Sequence, residues 1–448
     1  MYLKGQRVNR FIAADKNSQQ KKYLLSIVDN IRYFLPIFFV FGLLIRALYG
    51  KITELLGVGN YSMRLYILTF FGLFVISLPK MYRILVDKRA IDVPIIIAFI
   101  SFAVVCTYVF NPDVITVEYM DTTSIARVFV YYIPIYISAR AIDDYDKFLG
   151  FFVISAKIAM VWMLNNYFYV LEQLEKTNKT YDLGFGYSTV FLTMVIVSNI
   201  FNKNKRNIYD FFFVIMGTYM VLSIGSRGGF VVLLAYVGVQ VLLKVLNNSK
   251  IYIKAIYITT IAVVLSNFRN IIEYLYMQFM SFGIYSRTLS SIIYDTMDDS
   301  SGRDIIWASA VEGLQEASLL GYGVCGDRQF AKPFYGYGFY VHNFFLEILL
   351  QYGVIIGTVI FIFLFYFIIK SLRNKKTIEI TSIFIVYCAV NMVLSSSYLL
   401  NEQFWALLGF VIFFGSSRNH KTPTGKYLKK RLPVVETVKT DKRLGLKT

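Results

Sequence analysis

An all-α, polytopic membrane fold of about twelve transmembrane helices is predicted by three features of the chain. Charged residues make up only 17% of its 448 positions and hydrophobic ones 56%, whereas a water-soluble chain carries roughly 25% charged residues. Apolar runs of about 17 to 23 residues recur along the sequence, each long enough to cross a bilayer as a helix. Lys and Arg gather in alternate connections, as membrane topology demands of cytoplasmic loops. An ordinary soluble enzyme is excluded. More than half of the chain lies in lipid, so 1–448 reads as a single membrane domain.

The elements follow in order. Residues 1–32 are polar and basic, and the apolar run after them lacks a small-residue cleavage site, so it reads as a retained first span. Spans are expected near 33–50, 65–79, 93–110, 124–139, 148–170, 183–201, 209–225, 229–243, 251–267, 343–369, 377–394 and 403–417. With the N-terminus cytoplasmic, the inner segments hold 33 Lys and Arg and the outer segments 10, with Arg46, Arg127 and Lys157 inside spans. That split puts both termini in the cytoplasm. The stretch 343–369 is long for one helix and fits a tilted span or two helical pieces.

Only one connection, the outer loop 268–342, is long enough to hold structure of its own. Residues 270–282 read as an interfacial helix. Ser301, three residues before Asp304, forms a capping-box pattern opening a second helix with Ile306, Ala310 and Leu314 on one face. Glycines at 321, 323, 326, 336 and 338 then alternate with Tyr322, Phe330, Phe334, Tyr335, Tyr337, Phe339 and Tyr340. Such a segment suits a sugar-contacting surface, a cavity shield or an interfacial anchor. Residues 418–448 form a basic cytoplasmic tail.

The net charge of +18 would suggest nucleic acid in a soluble protein, but here basic loops facing anionic lipid account for it, and no nucleic-acid partner is expected. Cys106, Cys325 and Cys388 are too scattered for a disulfide framework or a cysteine metal cluster. With only two histidines, one of them His420 in the tail, neither a metal site nor a cofactor is expected.

His342 opens a membrane segment at the outer face, next to Asn343 and five residues before Glu347. A histidine there can exchange a proton near neutral pH; one hydrogen-bonded between helices fits the position equally well. Arginines are the second signal. Arg227 lies in the three-residue outer hairpin of GSRGG, Arg303 begins the loop helix, Arg287 precedes it by sixteen residues, and Arg127 sits three residues inside its span. Guanidinium groups match phosphate bidentately, so a lipid diphosphate is one natural object for them. Pairing with Asp295, Asp298, Asp299, Asp304 or Glu347 is the other reading. Asp144-Tyr145-Asp146 fits a solvated turn, Gly184-Phe185-Gly186 and Gly321-Tyr322-Gly323 lack a dinucleotide setting, and Lys157 and Arg46 suit packing or topology as well as function.

Taken together, GSRGG at 225–229, SGRDIIW at 301–307, GYG at 321–323 and VHNFFLEILLQYGVIIG at 341–357 resemble the superfamily of bacterial O-antigen ligases and O-antigen, capsule or exopolysaccharide polymerases. The resemblance implies a multi-pass glycosyltransferase of the bacterial cytoplasmic (inner) membrane whose active site faces outward. Its donor would be a glycan on undecaprenyl diphosphate, its acceptor a glycan hydroxyl, and its surroundings bilayer lipids and polysaccharide-assembly proteins. It further implies that Arg227 and Arg303, and less firmly Arg287 and Arg127, bind the diphosphate, and that His342 activates the acceptor without a metal ion. Asn343 and Glu347 would orient the site from behind, and direct displacement would invert the anomeric centre.

Polymerase and ligase share this chemistry and differ in acceptor. A repeat polymerase adds the chain to another lipid-linked repeat; a ligase hands it to a lipid A core, a protein or the wall. A non-enzymatic flippase or transporter for lipid-linked sugar would instead place charge near mid-membrane and show symmetry between halves.

Overall fold

The computed structural model describes Ser26 and residues 29–38, 40–57, 61–88, 90–112, 122–177, 181–201, 207–247, 250–296, 302–317, 320–374 and 377–416. Among these the chain is helical, with no strand. Asp298, Asp299, Ser301, His420 and the tail 418–448 lie outside the described residues.

Among the described residues six helices are long and apolar enough to cross a membrane: Arg64–Asp87, Asp92–Phe110, Tyr145–Lys176, Leu183–Phe201, Arg227–Leu246 and Phe344–Leu372. Ile251–Ser266 and Phe268–Ser281, bent by 60° at their junction, make a seventh if taken as one span. Ile208–Ser223, Ile378–Leu394 and Glu402–Ile412 are apolar but shorter. By length and composition the expected twelve is therefore not reached. One reason is that expected spans are subdivided. The first is helical over 29–38, turns at Phe41 and resumes as Gly42–Leu55. The fourth runs as Thr122–Arg127, a widened π-helical turn Val128–Tyr132 and Ile133–Arg140. Pro134, which has no N–H to give the preceding turn, stands where the regular ladder resumes.

Leu183–Phe201 runs through the middle of the bundle, with Val190, Leu192, Met194, Val195 and Ile196 fully enclosed. Phe191 meets Phe384 edge-on at 5.4 Å and Tyr387 at 4.8 Å, and Phe152 stacks on Phe384 at 5.9 Å. Lipid tails are as apolar as these rings, so it is close interlocking that joins the helices. Charges inside the bundle are matched. Lys157 pairs with Asp210, whose second oxygen accepts from Asn199 at 2.7 Å. Arg140, wholly buried, grips Asp92 through two bonds of 2.9 and 3.0 Å, and Arg32 holds Asp143 at 2.8 Å. Asp144 caps Tyr145–Lys176 by accepting from the Lys147 N–H at 3.0 Å.

The loop 268–342 is built, where described, from short helices. Phe268–Ser281 buries Ile272 and Phe279. Arg287–Ile293 is docked by Ser286, whose hydroxyl donates to the Leu222 carbonyl at 2.6 Å. Arg303–Glu316 buries Ile306, Ala310 and Gly313 and half-buries Leu314. Its cap is Gly302, at φ 82°, with no side-chain capping bond. Gly302 thus occupies the position the capping-box pattern gives to Ser301.

Phe344–Leu372 is broken at Gly353, whose φ of 74° and ψ of 166° suit glycine alone. The expected element 343–369 is thus two helical pieces. The break frees the carbonyls of Leu350 and Gln351, which accept from the Tyr322 and Gly323 N–H groups at 2.8 and 2.9 Å. The Val324 N–H then donates to Thr107 Oγ1 at 2.8 Å, on the span Asp92–Phe110. The GYG string is a latch that joins the outer loop to two membrane helices.

Candidate active site

His342 lies on the short connection between the aromatic loop and the broken helix. Its φ of 53° is left-handed, an uncommon conformation for a side-chain-bearing residue. Bonds on either side impose it. The Val341 N–H donates to Asp327 Oδ2 at 3.4 Å and the Val341 carbonyl accepts from Trp307 Nε1 at 2.9 Å. Asn343 caps the next helix, accepting from the Phe345 and Leu346 N–H groups at 3.0 and 3.3 Å. Backbone strain held in this way concentrates at functional sites.

The imidazole is 9% exposed and ringed by aromatic side chains, with Tyr340 at 4.5 Å and Phe339 at 5.3 Å between ring centres. Its Nε2 shares a hydrogen bond of 3.0 Å with the Tyr335 hydroxyl. Its Nδ1 is buried and makes no hydrogen bond. Burial, and after it the positive charge of Arg303, lowers the imidazole from its ordinary 6.5 to about 4. That shift favours the neutral imidazole at physiological pH, whereas titration near neutrality was expected.

Arg303 is the cation nearest this chemistry in electrostatic effect. Its charge acts on His342, Tyr335, Tyr340 and Tyr187 alike, and it makes no hydrogen bond or ion pair among the described residues. Arg227 begins the helix Arg227–Asn247 and donates to the Thr296 carbonyl at 3.0 Å. Its neighbour Gly228 lies so close to the Tyr187 hydroxyl that an added Cβ would come within 2.1 Å. Tyr187 therefore links the hairpin to the ground that Arg303 influences. The Tyr187 and Ser395 hydroxyls share a bond of 2.8 Å, and the Ser395 carbonyl accepts from Tyr340 at 3.0 Å. Arg287 lies over the Tyr181 ring at 4.3 Å, and Tyr181 in turn acts on Tyr335.

Behind His342 is a buried polar network. Gln351 donates to Asp327 at 2.6 Å and to Glu347 at 3.5 Å, and accepts from the Tyr398 hydroxyl at 2.6 Å. Glu347 also accepts from Ser397 Oγ and, at 3.4 Å, from the Tyr398 N–H. Burial pushes the Asp327 carboxyl upward. Glu347, one of the candidate partners for the outer arginines, is thus occupied by other groups.

Arg127 lies elsewhere, on the wall of a cavity of about 830 Å³. Arg46, Glu402, Tyr187, Tyr340 and Ser395 also line it, while His342, Arg227, Arg287 and Arg303 do not. Tyr340, Tyr187 and Ser395 therefore stand between cavity and histidine. Sequence reasoning missed Tyr187, Tyr335, Asp327, Gln351 and Ser395 as parts of this arrangement. The interleaved rings of 335–340 were the one signal available, since the other groups arrive from distant helices.

Residues 211–362, about one third of the chain, match the model of a family described as O-antigen ligase. The match takes in Arg227, Arg287, Arg303 and His342 and leaves out Arg46, Arg127 and Glu402. No curated protein and no solved structure matches the chain.

Proposed function

We propose, from the match of residues 211–362 to a family described as O-antigen ligase, that this multi-pass membrane protein polymerises undecaprenyl-diphosphate-linked oligosaccharide repeats. The reading is carried by one observation: a buried His342 and the tyrosines around it lie in the field of Arg303, a cation that makes no ion pair among the described residues. Arg303, with Arg227 and Arg287, holds the donor diphosphate. His342 removes the acceptor proton, and the Tyr335 hydroxyl marks the place at Nε2 that the acceptor hydroxyl takes. The acceptor oxygen bonds to the anomeric carbon as the bond from that carbon to the diphosphate oxygen breaks. The electron pair leaves with the lipid diphosphate, where the guanidinium groups stabilise the growing charge, and the proton passes to His342. Displacement from the opposite face inverts the anomeric centre. Asn343 and the Glu347–Gln351–Asp327 network hold the histidine from behind.

Charge stabilisation by arginines makes the transfer metal-independent in this reading. Purified protein in lipid, given lipid-linked repeats, is expected to build a ladder of longer glycans with chelator present. A single addition onto lipid A core or protein, with no ladder, would establish a ligase; uptake without new glycosidic bonds would establish a transporter.

In the same reading the site faces outward from the inner membrane and both termini are cytoplasmic. A cysteine at Glu312, exposed on the loop helix, is expected to react with an impermeant thiol reagent added outside. One at Arg373 is expected to react only after the membrane is opened, and the reverse pattern would overturn the orientation.

A further inference from the structure

The cavity beside the transfer centre has a charge imbalance that the reaction described above does not use. Among the described residues that line it, only Arg46, Arg127 and Glu402 are charged. Arg46 is committed: it binds Glu402 at 3.0 Å and the Gly42 carbonyl at 3.1 Å, and lies against the Tyr66 and Tyr131 rings. With Glu402 ionised, that pair sums to zero. Arg127 makes no hydrogen bond or ion pair among the described residues, although its charge acts on Glu402 and Tyr132. Among the described residues the cavity therefore carries one positive charge that no carboxylate pairs, which suits an anionic ligand.

Around Arg127 the wall has the character of a carbohydrate site. Tyrosine rings offer apolar faces with polar edges, while Asn391, Gln403 and Ser188 add amide and hydroxyl groups. The widened π-helical turn Val128–Tyr132 follows Arg127 directly, and turns of this kind occur frequently at functional sites. The wall continues to Tyr340 and Ser395, the groups next to His342. Tyr340 and Ser395 thus border both the cavity that holds Arg127 and the surroundings of His342.

We infer that this cavity is a glycan-recognition subsite in which Arg127 selects a sugar carrying an acidic group, with the Arg46–Glu402 pair as its neutral, hydrogen-bonding wall. The kinetic part of the test rests on the transferase reading; the binding part does not.

Two lipid-linked donors, identical save for a hexuronic acid in place of a hexose, are compared with the full-length protein in lipid discs. Wild type is expected to prefer the acidic donor in kcat/KM by roughly ten- to a hundred-fold, the worth of one charged hydrogen bond, and Arg127→Gln to lose most of that preference. A wild type without preference, or a preference that survives Arg127→Gln, overturns the inference. In parallel, the lipid-free acidic oligosaccharide, its neutral counterpart and inorganic diphosphate are titrated into both proteins and followed by tryptophan fluorescence. Loss of acidic-oligosaccharide binding alone in Arg127→Gln supports the subsite even if no transfer is found. Loss of diphosphate binding alone assigns Arg127 to the lipid headgroup and overturns it. Should Arg127→Gln fail to fold, Glu402→Gln supplies the second variant. It leaves Arg46 unneutralised and is expected to tighten binding of the acidic oligosaccharide several-fold; unchanged binding overturns the inference.

Discussion

The charges buried within the bundle and the arginines at its loop and cavity are held in opposite ways. Lys157 with Asp210, Arg140 with Asp92 and Arg32 with Asp143 are each matched by a carboxylate and by further hydrogen bonds. Arg303 and Arg127 find no such partner among the described residues. A cation without a partner in a membrane protein is a candidate for function, and the proposed diphosphate and acidic-sugar sites give each of the two an anionic ligand. The difference teaches that arginine alone is not the functional signal. What its guanidinium touches is.

Breaking each side of the contrast gives a different expected outcome. On the ligand side, His342→Ala is expected to leave a folded protein that binds donor but transfers roughly 100- to 10,000-fold more slowly, the range for a positioned acid-base group. Near-wild-type transfer by a folded variant would remove His342 from the chemistry.

On the structural side, Arg140→Ala strands the Asp92 carboxylate and is expected to lower stability by about 3–5 kcal/mol. A thermal melt in detergent would register this, and the specific activity of the folded fraction is expected to stay near wild type. A melt within experimental error of wild type would show that the pair is not structural.

Arg303→Gln sharpens the contrast, because it removes a charge with no carboxylate to strand. Transfer is expected to fall about ten- to a hundred-fold, with the melting temperature almost unchanged. The pH profile is a second readout. His342 acts in its neutral form, so kcat/KM is expected to be flat at neutral pH and to fall only as the pH drops through about 4. Arg303 contributes to holding the imidazole that low, so the variant's acid limb is expected at higher pH. A limb that does not move would separate Arg303 from His342.

The smallest effect is expected at the latch. Thr107→Val removes the acceptor for the Val324 N–H and is expected to cost about 1–3 kcal/mol, since that donor is left buried without a partner. Hydrogen exchange around 321–324 is expected to quicken, and unchanged protection there would show that the loop is anchored elsewhere.

The sequence by itself determined that the chain is helical and membrane-embedded, because hydrophobic run length and the distribution of Lys and Arg are local properties that lipid reads directly. It also determined the helix over 303–316 through the spacing of Ile306, Ala310 and Leu314, and marked His342 by its place at the mouth of an apolar segment. It did not show where the helices are interrupted, at Phe41, Val128–Tyr132 and Gly353, within apolar runs that composition alone reads as continuous. Only the tertiary structure decided which arginines are matched, because Asp92 and Arg140, or Arg46 and Glu402, meet across long separations in sequence. It also set the direction in which the His342 imidazole is shifted. Burial by Tyr340 and Phe339, and the field of Arg303, are through-space effects that no spacing of residues along the chain records.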